Sequence, residues 1–183
     1  MLTDFLILLA AIVAALFIRF TILEFSVVRG NSMRSTLHNG NVMFVSILTY
    51  HIRRPKRQEI VICHYPNRRV KKLPFLKQQF VKRVIGLPGE TIEIIEGVVH
   101  INGEPLAEPY LSPAHNHRLR SYPSVTLSDR QYFVIGDNRD NSNDSRAIGP
   151  LDESAIIGHV CFLLHPLKRL KIKACNDANE AEG

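Results

Sequence analysis

Three short stretches of this 183-residue chain hold the side chains best suited to chemistry. The first is Gly30-Asn31-Ser32-Met33-Arg34-Ser35-Thr36-Leu37, in which a serine sits in a glycine-containing turn after an apolar run and is followed by a hydrophobic residue. Serines in turns ordinarily bond their own backbone, so the hydroxyl acquires a catalytic meaning only if a base can reach it. The second is Phe80-Val81-Lys82-Arg83-Val84-Ile85-Gly86-Leu87-Pro88-Gly89-Glu90. Strand alternation sends Phe80, Lys82 and Val84 to one face and Val81, Arg83 and Ile85 to the other, so Lys82 shares its face with apolar neighbours. If that face is inward, desolvation disfavours the ammonium and yields a neutral amine able to take a serine proton. The ordinary reading of such a lysine is an edge-strand gatekeeper against aggregation.

The third stretch, Gly136-Asp137-Asn138-Arg139-Asp140-Asn141-Ser142-Asn143-Asp144-Ser145-Arg146, follows the strand-like QYFVI. Its Asp, Asn and Ser side chains can cap backbone amides, and an Asp144–Arg146 or Asp140–Arg83 pair can pin the loop. Rigid polar scaffolding of this kind is what a catalytic pair needs around it. Metal chemistry has less to build on. The His115-Asn116-His117 triplet lacks further donors at ligand spacing, and Cys63, Cys161 and Cys175 form no C-x-x-C pair. A Cys63–Cys161 disulfide remains open on an oxidising face. No cofactor is called for.

The elements that must position these residues read mainly as antiparallel β-structure. FSVV, NVMFVSIL, EIVICHY, TIEIIEG, VVHI and QYFVIG are short, rich in β-branched and aromatic residues, and separated by turn formers. Asn102-Gly103 between VVHI and EPL predicts a type I′ hairpin. Asp152–Gly158, with acidic residues at its start, predicts a short helix. Glu108–Asp129, with its prolines, predicts an exposed loop or small insertion, and the polar tail 176–183 predicts fraying.

From Phe5 to Ile18 the chain runs FLILLAAIVAALFI without a charge. With its flanks it predicts a single transmembrane anchor over 1–23, Arg19 snorkelling to the interface; a signal peptide lacks its basic start and cleavage site, and a buried core helix is the bland alternative. The expected division is an anchor at 1–23, a β-rich catalytic body at 24–175 with a small insertion at 90–131, and the tail. The net charge of +6 suits anionic lipid or nucleic acid alike. Basic residues follow the apolar run, which by charge alone places the body in the cytoplasm, although whole domains are translocated against this rule.

Together the three stretches resemble signal peptidase I, the bacterial Ser/Lys endopeptidase. GDNRDNSNDSR is the most specific part, and Ser-Met-x-x-Thr-Leu and KRVIGLPGE follow in the family's order, with INGEPLAEPYL a softer echo. The resemblance implies an antiparallel, barrel-like catalytic body on one N-terminal transmembrane helix, a single-pass membrane protein with its catalytic domain on the outer face. It implies Ser32 as nucleophile, Lys82 as general base, and Ser142 as the hydroxyl that orients the lysine amine. Asp144 and Arg146 are similar to the family's salt-linked pair, with Arg83 and Met33 as further supporting residues. The expected partners are preprotein signal peptides, cut after small residues of Ala-x-Ala type, and membrane lipid, with no nucleic acid, cofactor or metal. The Ser32 backbone N–H is expected to help form the oxyanion hole. Ser35 stands where the family commonly has proline, and Gly30 offers no hydroxyl to the oxyanion.

Two rivals remain at the level of sequence. A related Ser/Lys processing peptidase or self-cleaving repressor shares the chemistry, but a repressor would begin with a soluble helical DNA-binding module. A basic membrane- or nucleic-acid-binding module would use Arg53–Arg57 and Arg68–Lys72 and leave the third stretch unexplained.

Overall fold

The structure, a computed structural model, describes residues 2–70, 73–165 and 168–171. Residues 172–183, which include the expected tail and Cys175, lie outside the described residues. The chain opens with α1 (Leu2–Ile22), 21 residues long. It then forms β1 (Leu23–Val27), β2 (Val42–Ser46), α2 (Thr49–Ile52), β3 (Ile60–Val70), β4 (Leu73–Gly86), β5 (Thr91–Ile95), β6 (Val98–Ile101), β7 (Glu104–Pro105), β8 (Tyr122–Thr126), β9 (Gln131–Ile135), α3 (Ser145–Ile148), β10 (Leu151–Asp152), β11 (Ile156–His165) and β12 (Lys168–Lys171).

The alternation of β-branched and polar residues seen in the sequence becomes, among the described residues, two antiparallel sheets. The larger has the order β1-β2-β11-β3-β4-β9-β10, with β12 pairing β11; the smaller, β7-β6-β5-β8, lies in sequence between β4 and β9. Neither sheet closes on itself among the described residues, which corrects the barrel-like expectation: β1 and β10 stand at opposite ends of the larger sheet. Closure depends on strand number, tilt and shear, none of which a local sequence pattern records.

The Asn102-Gly103 turn forms as expected, with φ of 53° and 89°. The helix expected over Asp152–Gly158 does not. Glu153–Ala155 makes one 3-10 turn and Ile156 begins β11. The run IIGHVCFLL is the cause, because β-branched residues fit a central strand between β2 and β3 better than a lone helical turn. Among the described residues Cys63 and Cys161 form no disulfide. Cys63 sits opposite Phe80 and Ile156 in its sheet, while Cys161 lies farther along β11 against His159.

Among the described residues core packing divides into three clusters. Met33, Leu37, Met43, Val45, Ile60 and Ile62 build one, and Val61, Cys63, Val84, Tyr132 and Val134 a second. Ile85, Ile92, Val99, Leu127, Phe133 and Ile135 join the two sheets in the third. Because β4 contributes to all three through Val81, Val84 and Ile85, both of its faces are covered at its C-terminal end. Arg83 is therefore 4% exposed and Lys82 3%, and the alternation of β4 does not send Arg83 to water.

Among the described residues no helix is long and apolar enough to cross a membrane. The side-chain environment of α1 is described from Thr3 to Val13, and there Phe5, Leu6, Ile7, Leu8, Leu9, Ile12 and Val13 are exposed.

Candidate active site

The turn carrying Ser32 is built by its own backbone. Arg34 N donates to Asn31 O at 3.2 Å, Thr36 N to Met33 O at 2.8 Å and Leu37 N to Met33 O at 2.6 Å. Met33 and Leu37, 2% and 0% exposed, root that turn in the first core cluster, so the Ser32 turn is fixed by burial rather than by sequence-local rigidity alone.

Against this turn lies the loop after β9. Asn138 N donates to Ser32 O at 3.0 Å and Asn138 Nδ2 to Asn31 O at 3.0 Å. Asp137 N contacts Met33 Sδ at 3.4 Å, and Thr36 Oγ1 donates to Asp137 Oδ2 at 2.5 Å. The Ser35 hydroxyl donates to Asp137 O at 3.3 Å, so the position where the resemblance leads one to expect proline is tied down through a hydrogen bond instead.

Gly136 permits this close approach. A Cβ there would overlap Ser142 Oγ and Cβ and the Ser32 carbonyl oxygen, so only glycine lets the loop strand and the Ser32 turn meet. Gly136→Ala is expected to lower turnover by 100-fold or more, on the order of 3 kcal/mol of barrier, with substrate affinity less affected. Steady-state kinetics with a preprotein substrate checks this, and unchanged turnover would mean that the two segments yield easily.

Lys82 reaches the same point from β4. Its Nζ lies 2.7 Å from Ser32 Oγ and 2.9 Å from Val81 O, and it stacks 5.2 Å from the Phe80 ring centroid. Burial pushes its pKa down to about 8 from 10.5, although Asp144, Cys63 and Asp137 pull the other way; Arg146 adds to the depression. An amine half-neutral near pH 8 and in contact with a hydroxyl can accept that hydroxyl's proton.

Two buried ion pairs brace the pair of residues. Arg83 donates Nε to Asp137 Oδ1 at 2.9 Å and Nη2 to Asp137 Oδ2 at 2.6 Å, with side chains 5% and 1% exposed. Arg146 holds Asp144 through Nε and Nη2, both at 2.8 Å. Burial would raise the Asp144 carboxyl, but the Arg146 guanidinium and the Gly136 amide outweigh it and leave the pKa below the usual value. The pairing of Arg83 with Asp140 expected from sequence is corrected. Asp140 instead accepts from the His117 and Arg118 amides at 3.0 and 2.8 Å and contacts His117 Nδ1 at 3.1 Å. The competing carboxylate, Asp137, sits directly after Gly136, where β9 ends beside Arg83.

Ser142 is not hydrogen-bonded to Lys82. Among the described residues its hydroxyl is buried without a hydrogen-bond partner, against Gly136 and near enough to Asp144 to lower that carboxyl's pKa without a bond of hydrogen-bonding geometry.

Sequence reasoning missed Thr36, Tyr110, Glu108 and, as a partner of Arg83, Asp137. The Arg83 guanidinium lies 3.8 Å from the Tyr110 ring centroid, Tyr110 OH donates to Glu108 Oε1 at 2.5 Å, and Glu108 pairs with buried Arg139. The sequence signal was the Glu-Pro-Tyr within INGEPLAEPYL, which points toward Arg83 only once β4 and the 106–118 segment meet. The same contacts show that Glu108–Asp129 is not wholly an exposed loop: it contains β8, and Tyr110 packs on the core cluster that joins the sheets.

The chain matches the family described as "Signal peptidase, peptidase S26" over residues 2–165. It belongs to that family. Among curated relatives, a "Probable signal peptidase I-1" of Synechocystis is 40% identical over 162 residues, covering 88% of this chain and 81% of its own. A signal peptidase I of Leptolyngbya laminosa is 36% identical, covering 87% and 77%, and "Signal peptidase I T" of Bacillus subtilis is 36% identical, covering 88% and 83%. The juxtaposed serine and lysine thus occur in a chain that is a signal peptidase by family.

Proposed function

We propose that this protein is a serine endopeptidase that removes signal peptides from preproteins, with Ser32 as nucleophile and Lys82 as general base. The observation that carries the assignment of roles is the 2.7 Å contact between Ser32 Oγ and a Lys82 amine that is 3% exposed. Neutral Lys82 takes the hydroxyl proton as Ser32 Oγ attacks the scissile carbonyl, then gives it to the leaving amine, leaving an acyl-enzyme. A water, deprotonated by the same amine, releases the signal peptide. Backbone donors at the Ser32 turn serve the oxyanion. Ser142, its hydroxyl buried next to the dyad, is the group placed to steer the lysine, and Met33, Arg83, Asp144 and Arg146 hold the frame.

Substrate enters as an extended chain. β1 ends the larger sheet, and its outer edge pairs with no strand among the described residues, so a signal peptide can add as a further strand leading to Ser32. The chain is further proposed to be anchored by residues 1–23, with the body of 24–175, the 90–131 insertion included, on the outer face of the membrane. Support comes from the uncharged Phe5–Ile18 and from the roughly 30 Å that 21 helical residues span. The charge bias against that orientation is weakened within the fold, because Arg53 pairs with Glu59 and Arg57 with Glu90.

The purified Ser32→Ala variant is expected to bind membrane and melt as the wild type does while cleaving no preprotein, since a loop hydroxyl contributes little to stability. Retained cleavage by that variant would remove Ser32 from the mechanism. Release from membranes by salt rather than by detergent would remove the anchor without touching the dyad.

A further inference from the structure

Two arginines straddle Ser32. Val28 and Met33 are buried, 5% and 2% exposed, which turns the side chains that follow them, Arg29 and Arg34, outward, and both are exposed. The backbone holds them there. On either side of Arg29, Val28 N donates to Asn41 O at 2.8 Å and Gly30 N to Asn39 Oδ1 at 3.1 Å. The bond from Arg34 N to Asn31 O draws Arg34 back to within about 7 Å of Asn31, across the turn that carries Ser32. Neither guanidinium meets a carboxylate among the described residues. Elsewhere in the body the arginines of the packed loops are answered, Arg53 by Glu59, Arg57 by Glu90 and Arg139 by Glu108. The carboxylates brought to the dyad, Asp137 and Asp144, are held by Arg83 and Arg146. The rim of the Ser32 turn therefore carries two uncompensated positive charges.

We propose that these arginines read charge in the substrate: Arg34 is a specificity-determining residue that favours preproteins with an acidic side chain at the first or second position after the cut, and Arg29 reinforces its field. The inference rests on the signal-peptide-cleaving reading above. A chain that runs along β1 and presents its scissile carbonyl to Ser32 leaves past the far side of the turn, where Arg34 stands. At about 3.3 Å per extended residue, its first two residues after the cut stay within reach of that guanidinium. A carboxylate there gains an ion pair and an ammonium meets repulsion, so the discrimination appears in kcat/KM. Anionic lipid headgroups offer the same negative charge, but the substrate must touch the Ser32 turn at every turnover.

The test uses the full-length chain in neutral detergent and two preproteins identical except for Asp or Lys at the second position after the cut. Wild type is expected to favour the Asp substrate about fivefold in kcat/KM near 0.1 M salt, the size of one exposed attraction set against one exposed repulsion. The preference should fall below about twofold near 1 M salt, as the screening length shrinks from about 10 Å to about 3 Å. Arg34→Glu is expected to favour the Lys substrate, and Arg34→Gln to leave less than about a twofold preference, from Arg29 alone. A ratio that neither salt nor Arg34→Glu moves overturns the proposal. So does a preference that emerges only when anionic vesicles replace the detergent, which assigns the arginines to lipid. Because the ratio is taken between two substrates that one enzyme cleaves, it speaks to the arginines, whereas Ser32→Ala, expected to cleave neither, speaks to the dyad.

Discussion

Lys82→Met is expected to reduce preprotein cleavage to background and, at the same time, to raise the melting temperature by about 2–4 °C at neutral pH. The two effects have one cause. In the folded chain Lys82 titrates near 8, against 10.5 for the exposed side chain, because burial penalises the ammonium. Between these values the unfolded chain binds a proton that the folded chain does not, so stability rises with pH across that window. Below about pH 8 the folded chain bears the whole penalty, on the order of 3 kcal/mol from the size of the shift. Above about pH 10.5 none of it is left. Methionine removes the penalty while losing the bonds to Ser32 Oγ and Val81 O, each worth about 1 kcal/mol, so a modest gain survives. Thermal melts at pH 7 and pH 10 should show the advantage of the variant shrinking at the higher pH. A variant less stable than wild type at pH 7 as well as at pH 10 would show that burying the Lys82 ammonium carries no net penalty. Lys82→Arg should be as inactive as Lys82→Met, since a guanidinium cannot serve as a base. In the wild type kcat/KM should climb with pH to a plateau above about 8, a limb set by the Lys82 amine. That limb should persist when His115, His117 or His159 is replaced.

Asp137→Leu is expected to cost about 3–5 kcal/mol of stability, because it strands the Arg83 guanidinium in an interior where it is 4% exposed. Activity should fall with it, since Asp137 Oδ2 also accepts from Thr36 in the Ser32 turn. The informative partner is Asp137→Leu combined with Arg83→Met. Removing both charges from a dry site leaves no charge unpaired, so the double variant should regain much of the lost stability. It should not regain activity, because Thr36 still lacks its acceptor. Urea titrations and preprotein cleavage on the three variants separate these outcomes. Full recovery of cleavage in the double variant would reduce the pair to a stability device, and simple additivity of the two losses would mean that the charges are not coupled.

How far the sequence reached can be traced residue by residue. Strand existence was legible because period-two patterning and β-branched residues are local properties, as in TIEIIEG and QYFVI, and the Asn102-Gly103 turn because its positive φ values demand those residue types. Lys82 was legible as a candidate because its neighbours in sequence, Phe80 and Val84, are also its neighbours on the strand. The helix expected over Asp152–Gly158 failed because acidic residues at a start are a weak signal beside the tertiary demand for a central strand. The choice of Asp140 over Asp137 as partner to Arg83 failed for a related reason. Several carboxylates within one loop are equivalent in sequence, and only the register that sets Arg83 opposite Ile135 brings the loop entrance, and not its middle, to the guanidinium.

The sequence by itself determined which residue types were available for chemistry: a serine in a turn, a lysine among apolar residues, and a polar loop behind a glycine. It determined the β-rich class as well, because alternation and turn chemistry act over a few residues. Only the tertiary structure decided that Ser32 and Lys82, fifty positions apart, come within 2.7 Å. Only there does Gly136 become the point where two segments touch, and only there does Glu-Pro-Tyr at 108–110 reach Arg83. The reason is that desolvation and ion-pair choice depend on what is packed around a group from every direction, and most of those neighbours are distant in the chain.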